Sequence, residues 1–312
     1  MKSFDEVLAA ARQKGKSRVA IPLPHQAVIL EGVKEARDLG VADSVLLGDP
    51  DTIREIARDL DFDLSGTEIL PAGDQEEACH FAARLVADGQ ADAVWKGSVD
   101  TKMLLHEILD EGLGLRTGRL LSHVSVLESE RFDRLFYISD GGVNIEPDLQ
   151  EKVEITKNAV WVAHRLGIPE PKVALLAAIE KVNPKITATV DADEIARNHP
   201  IEGALVSGPM ALDAAVNEEA ARLKEFGDDP VAGSADVLIG PDINMVNNMV
   251  RAMMFFGGAK WSGVVVGAKV PVILTSRADV DPGIRIRSVA VAACVGVMEA
   301  ASNNPGTIKR AA

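Results

Sequence analysis

Between Lys172 and Val206 the chain reads KVALLAAIEKVNPKITATVDADEIARNHPIEGALV. Lys172–Ala178 is an apolar run of the length of a buried strand, and Pro184–Asn198 has helical periodicity opening on a proline suited to a first helical turn. Gly203–Val206 begins a second short apolar run. Strand, loop, helix, strand within so few residues is the signature of a parallel crossover. The pattern extends in both directions. Further strands are expected at Arg18–Ile21, Ser44–Leu47, Ala91–Trp95, Leu121–Leu127, Leu135–Ile138, Ala235–Ile239, Gly263–Val266 and Val270–Leu274. Helices are expected at Ser3–Gln13, Gln26–Asp38, Thr52–Asp59, Gln75–Ala87, Thr101–Asp110, Pro147–Leu166, Ala211–Lys224, Asn244–Phe256 and Pro282–Ala301. The class is α/β, with parallel or mixed sheets covered by helices on both faces. No fixed-period repeat or low-complexity linker interrupts it.

At 312 residues the chain exceeds the usual single core, so two domains joined by short crossings, or one large α/β unit, both fit. A content of 47% hydrophobic and 26% charged residues is that of an ordinary globular protein and sets disorder aside. Cys79 and Cys294 stand far apart without ligand spacing, so neither a disulfide framework nor a zinc site is expected. The acidic, helical opening is no signal peptide and the longest apolar run, Val289 to Met298, cannot span a bilayer, so a cytoplasmic protein is expected. A net charge of −14 argues against nucleic-acid and membrane partners, which need a basic footprint. It leaves room for a small polyanion held locally by arginines and helix N-termini.

In parallel sheets ligands sit beyond the carboxyl ends of strands. There the sequence places Lys96-Gly97-Ser98, Ser139-Asp140-Gly141-Gly142, Glu180-Lys181-Val182-Asn183-Pro184, Ser207-Gly208-Pro209, Gly240-Pro241-Asp242 and Thr275-Ser276-Arg277. Taken singly, each also suits a plain βα loop. The segment TSRADVDPGIRIRS, Thr275 to Ser288, carries more information. Asp281-Pro282 reads as an N-cap and first-turn proline, yet Arg277, Arg285 and Arg287 crowd a helix start where the dipole disfavours cations. An anion between them would resolve the conflict, as would two arginines facing solvent on opposite sides. No Walker A sequence, Gly-x-Ser-x-Gly elbow or His-Glu-x-x-His motif occurs, and GLGLRTG (Gly112–Gly118) lacks dinucleotide spacing. Hydride transfer, serine hydrolysis and zinc proteolysis lose ground.

Lys96-Gly97 with Thr101, Gly114-Leu115-Arg116-Thr117-Gly118 with Leu121-Ser122-His123, and Asp140-Gly141-Gly142-Val143-Asn144 together resemble the phosphate acetyl/butyryltransferase family. Glu180–Lys185 with Thr189, Asp191 and Ala192 agrees in order, as do Gly208-Pro209 with Leu212-Asp213, Ala235-Asp236, Pro241 with Asn247, and Thr275-Ser276-Arg277. The likeness runs over roughly residues 15 to 300, and KGSVDT, LRTGRLLSHV and EKVNPK look closest to the butyryltransferase and short acetyltransferase types. It implies a fold like that of isocitrate and isopropylmalate dehydrogenases. Residues 1–140 plus 276–312 would form one α/β domain and 141–275 an inserted second, with the active site in the cleft between them. It also implies homodimers or larger homo-oligomers.

The implied reaction moves a short acyl group, acetyl, propionyl or butyryl, between coenzyme A and inorganic phosphate by thiol attack on an acyl phosphate. Coenzyme A is a substrate here, and no redox cofactor or metal is needed. The chemistry calls for a base, oxyanion donors and cations for phosphate. Ser276 and Arg277 match the family's serine and arginine that stabilise the acyl phosphate. The family's basic carboxylate falls near Gly283, so Asp281, the nearest acid alongside Asp279, is assigned as base, although it also reads as a helix cap. Lys96, Thr101, Arg116, His123, Asp140, Asn144, Arg285 and Arg287 are the substrate-binding candidates. A lone strand histidine is commonly a core residue, and Arg116 and Arg119 could face solvent. Met245, Met249, Met253 and Met254 could wall a pantetheine arm or simply fill core. Competing readings are an acyl carrier protein-dependent phosphate acyltransferase, an isopropylmalate-type dehydrogenase, and a non-catalytic acyl-CoA-binding module. The first would need a basic docking face, the second an acidic metal cluster.

Overall fold

The computed structural model describes residues 1–275, 281 and 283–299. Its strands are β1 (Ser17–Pro22), β2 (Ala42–Gly48), β3 (Glu68–Pro71), β4 (Ala93–Trp95), β5 (Ser122–Glu128), β6 (Leu135–Ser139), β7 (Lys172–Leu176), β8 (Leu205–Met210), β9 (Val237–Ile239), β10 (Lys260–Val266) and β11 (Val272–Ile273). Its helices are α1 (Phe4–Lys14), α2 (Ala27–Asp38), α3 (Pro50–Asp59), α4 (Gln75–Ala87), α5 (Thr101–Ile108), α6 (Leu149–Arg165), α7 (Thr187–Asn198), α8 (Leu212–Val216), α9 (Glu218–Leu223), α10 (Ile243–Phe255) and α11 (Gly283–Val295). Side-chain oxygens mark where helices start. Asp49 caps α3 ahead of Pro50, Asp100 caps α5, and Asp148 forms a reciprocal box with Glu151 at α6.

All eleven strands join one mixed sheet in the order β3-β2-β1-β4-β11-β10-β5-β6-β9-β7-β8. Alternation along the strands feeds two faces, with Val19 and Ile21 packing to one side and Ala20 to the other. The first face carries core residues of α1, α2, α3, α6, α7 and α11. The second is covered by α4 and α5 at one end and by α8 and α10 at the other. The last helix, α11, is apolar nearly all round and central, with Ile284, Ile286, Val289, Val291 and Cys294 buried. Among the described residues no helix is long and apolar enough to cross a membrane.

Two expectations required revision. Glu68–Pro71 is a strand that apolar content did not signal, because at the sheet edge it is only half covered. The single helix expected over Ala211–Lys224 divides at Asn217, whose side chain accepts from the Ala220 amide at 2.9 Å and so starts α9 afresh.

Direction within the sheet decides where a site can form. β10 is antiparallel to both β11 and β5, and β5 is antiparallel to β6. Consequently β1, β2, β3, β4 and β11 run one way while β6, β7, β8 and β9 run the other. Register brings their carboxyl ends together. Val94, Val272, Val265 and His123 are successive neighbours across the sheet, and one row on, Val124 pairs Ser139, which pairs Ile239, which pairs Leu175. The last residues of β4 and β11 therefore lie within about one residue of the row where β6, β7 and β9 end. Loops leaving both halves face each other over that line, bridged by β5 and β10.

Candidate active site

Beyond β4, the loop is pinned to both neighbouring strands. Lys96 donates its amide to the Ile273 carbonyl at 3.0 Å, and Ser98 donates to Leu23 at 2.8 Å. A β-carbon on Gly97 would fall 1.9 Å from the Pro22 carbonyl oxygen, so only glycine permits this approach of β4 to β1. Lys96 Nζ donates to the Val99 carbonyl at 3.2 Å, and Thr101 occupies the first turn of α5. The Trp95 indole donates to Thr275 Oγ1 at 3.3 Å, fixing the point where the chain leaves β11. Ser276 and Arg277, like Asp279, lie outside the described residues.

The arginines of α11 separate. Arg287 donates from Nε to the Trp261 carbonyl at 3.0 Å, pairs with Asp281 and lies 5.3 Å from the centre of the Phe4 ring. Together with Ser288, which accepts from the Gly263 amide at 3.2 Å, it closes the edge of β10 that β11 is too short to cover. Asp281 also accepts from the Gly283 amide at 2.9 Å. Its carboxylate thus secures the start of α11, the capping alternative raised by the sequence.

Arg285 differs. Only 7% exposed, it makes no hydrogen bond or ion pair with a described residue. Its chain and the Trp95 ring share the gap left by Gly32, where a β-carbon would come within 3.0 Å of Arg285 Cδ and 2.7 Å of the indole. Glu35, one turn along α2, is the nearby counter-charge. Burial pushes its carboxyl above the ordinary range, against the pull of Arg287 and Arg285. Nothing in the sequence reading singled out Glu35 or Trp95. The signal was Gly32, a lone glycine inside an otherwise amphipathic helix, which marks close packing.

On the opposing side Asp140 is 3% exposed and fully engaged. Its carboxylate accepts from the amides of Gly142 (2.8 Å), Val143 (3.0 Å) and Asn144 (3.2 Å), and from Asn144 Nδ2 (2.6 Å). Asn144 also donates to the Leu121 carbonyl at 2.8 Å. Both residues shape the loop after β6, the Asp140 carboxylate being taken up by these donors. His123 lies beneath that loop, 6% exposed, packed against Gly142 and Gly263, and burial pushes its imidazole below the usual range although Asp140 opposes this. It is a neutral core histidine. Arg116 is pointed away, its side chain bonded to the Leu109 carbonyl at 2.5 Å and to Glu111 at 2.7 Å on the surface. Of the candidates, the structure brings Lys96 and Arg285 to the end of β4, places Asp140, Asn144 and His123 across the row, and leaves Arg116 outside. Met245, Met249, Met253 and Met254 pack against the apolar cluster of α8 and α10. Among the described residues no cluster of three or more His, Cys, Asp or Glu could hold a metal ion.

The opposed strand-end loops, with Lys96 and Arg285 on one side and the Asp140–Asn144 loop on the other, define an α/β protein with a candidate site over the line where its two half-sheets meet. The model of the phosphate acetyl/butaryl transferase family matches residues 74–293, so the chain belongs to that family and is a phosphate acyltransferase. The phosphate butyryltransferase of Clostridium acetobutylicum is 40% identical over 95% of this chain and 98% of its own length. The phosphate acetyltransferase of Rhizobium meliloti is 37% identical over 93% of this chain and 92% of its own. Among solved structures, a branched-chain phosphotransacylase from Enterococcus faecalis V583 superposes with a TM-score of 0.78 at 33% identity, covering 89% of this chain and 99% of that one. A 4-hydroxythreonine-4-phosphate dehydrogenase from Klebsiella pneumoniae reaches a TM-score of 0.53 at 14% identity over 90% of this chain and 99% of that one, a likeness of fold alone.

Proposed function

We propose that this acyltransferase moves a short acyl group, acetyl, propionyl or butyryl, between coenzyme A and inorganic phosphate, the thiol attacking an acyl phosphate directly in the cytoplasm. The observation that carries the reading, given the family, is the buried Arg285, which makes no hydrogen bond or ion pair with a described residue, beside the Trp95 ring at the end of β4, where β11 leads on to Thr275. A guanidinium fork there suits the phosphoryl oxygens. In this reading Ser276 and Arg277 stabilise the reacting acyl phosphate, Arg285 adds charge from behind, and Lys96 and Thr101 line the first half of the site. Asp281 sets the first turn of α11, because its carboxylate already accepts from Arg287 and the Gly283 amide. Asp140 and Asn144 shape the facing loop. The two-domain arrangement of isopropylmalate-type dehydrogenases, divided at about 140 and 276, and assembly as a homodimer or larger oligomer belong to the same proposal. The opposed strand ends support the former.

The test is phosphate-dependent release of free thiol from acetyl-, propionyl- and butyryl-CoA by wild type, Ser276→Ala and Arg277→Ala. Each variant is expected to lose about a hundredfold or more in turnover while folding normally, the scale of removing one transition-state donor. Wild type that binds coenzyme A but releases no thiol would be a binding module instead.

A further inference from the structure

The second half of the sheet contains an ionic contact that the proposed chemistry does not use. Lys152 Nζ lies 2.6 Å from Asp191 Oδ2, with side chains only 10% and 16% exposed. Among the described residues each is the other's only side-chain hydrogen-bond or ion-pair partner. Lys152 stands near the beginning of α6, where the helix dipole disfavours a cation. Taking both charges out of water costs much of what their attraction returns, so an apolar pair would serve stability as well or better. Stability alone does not account for the pair.

Its position offers an account. Lys152 and Asp191 sit over the carboxyl ends of β7 and β9, sharing a small cavity with Leu176, Ala188, Gly240 and Pro241. α6 continues directly from the Asp140–Asn144 loop, the one whose backbone amides converge on Asp140. α7 continues from the loop holding Glu180–Lys185, and Thr189 in its first turn accepts from the Asn183 amide at 2.8 Å and donates to the Ile186 carbonyl at 2.8 Å. One bond between α6 and α7 therefore sets the spacing of the loops that follow β6 and β7, with the β9 loop packed beside it. Those loops form the second half's side of the shared row.

We propose that Lys152 and Asp191 are positioning residues that fix the two facing-side loops in the geometry that accepts the acyl-CoA. This rests on the reading above. The double variant Lys152→Met/Asp191→Asn removes both charges at similar volume. Expected are an unchanged or raised Tm, backbone hydrogen exchange at least about tenfold faster confined to residues 140–148 and 177–186, and a KM for acyl-CoA raised about tenfold to a hundredfold, the scale of a small misplacement. Lys152→Arg, which keeps the charge, should restore most of the KM. Unchanged exchange in both loops overturns the proposal, as does a loss of activity that merely tracks a fall in Tm. Should the double variant fail to fold, Asp191→Asn alone is read by the same exchange measurement. The exchange pattern is independent of turnover, so wild type without phosphate-dependent thiol release would refute the acyl-transfer reading and leave the loop-positioning result to stand or fall separately.

Discussion

Replacing Arg285 by methionine should make the protein more stable and less active at once. The side chain is 7% exposed and lacks any hydrogen bond or ion pair among the described residues, so the ligand-free fold carries the cost of a desolvated cation, offset in part by Glu35. An isolated buried ion costs several kcal/mol after relaxation, and methionine fills the space beside Gly32 and Trp95 with an apolar chain. A gain of about 1–3 kcal/mol is expected, equivalent to a Tm rise of roughly 2–8 °C for a chain of this size. The loss appears with phosphate. Hydrogen bonds to a charged group contribute about 1.5–3 kcal/mol, so phosphate affinity should fall about tenfold to a hundredfold. Thermal melts at rising phosphate separate the two effects, because saturating ligand at about a hundred times Kd stabilises wild type by about 2.7 kcal/mol. The variant should start higher and rise less over the same range. A variant that melts lower without phosphate yet shifts by the wild-type amount with it would mean that Arg285 is a packing residue, and the anion reading of its burial would be wrong.

Other perturbations probe the surrounding frame. Gly97→Ala drives a methyl group into the Pro22 carbonyl and should cost about 1–3 kcal/mol or more, seen as a lower urea midpoint at constant m-value, with thiol release lost because the Lys96 loop shifts. Asp140→Asn keeps the shape but replaces a charged acceptor of four donors, so about 1.5–3 kcal/mol should be lost by the same measurement. His123 resists protonation in the fold, while the unfolded imidazole titrates at its ordinary value of 6.5. Above that pH both states are neutral and the residue adds no pH dependence. Below it the unfolded chain gains a proton the native state refuses, so stability falls as pH drops. His123→Gln should flatten that part of the curve, measured as urea midpoints at about pH 7 and pH 5.5, where model imidazole passes from mostly neutral to mostly charged.

The α/β class was legible because apolar runs of strand length alternate with helical periods, and the ten strands expected from them are all present. The eleventh, Glu68–Pro71, was hidden because an edge strand buries too little to need an apolar pattern. Strand direction was written in the connections. Six residues separate β5 from β6 and five separate β10 from β11, too few for a parallel crossover, so antiparallel pairs were dictated there. The site was harder. Arg285 and Arg287 lie two positions apart on one helix and so project about 200° apart, which a linear reading records only as a cluster. What distinguishes them is that one meets Trp95 and Gly32 on distant segments while the other meets Asp281 and β10. Asp140 and Asn144 were found as residues that matter. That the Asp140 carboxylate is taken up by its own loop could be known only from the backbone amides that turn inward on it.

The same bonds that hold the fold also set the distance across the site. Arg285 belongs to the first half through α2 and Trp95, whereas Arg287 and Ser288, two and three residues on, bond the edge of β10, which pairs along its whole length with β5. β5 in turn carries His123 beneath the Asp140 loop. The first turns of α11 are therefore tied to both halves at once, by an arginine packed against Gly32 beside Trp95 and an arginine bonded to the bridge strand. Any relative movement of the halves must strain those turns, and any anion that draws on Arg285 pulls on the Arg287 contacts through one rigid helical turn. A protein with net charge −14 can thus receive a polyanion without a broad basic surface. It needs only a few cations, desolvated and held by the element that couples its two sides.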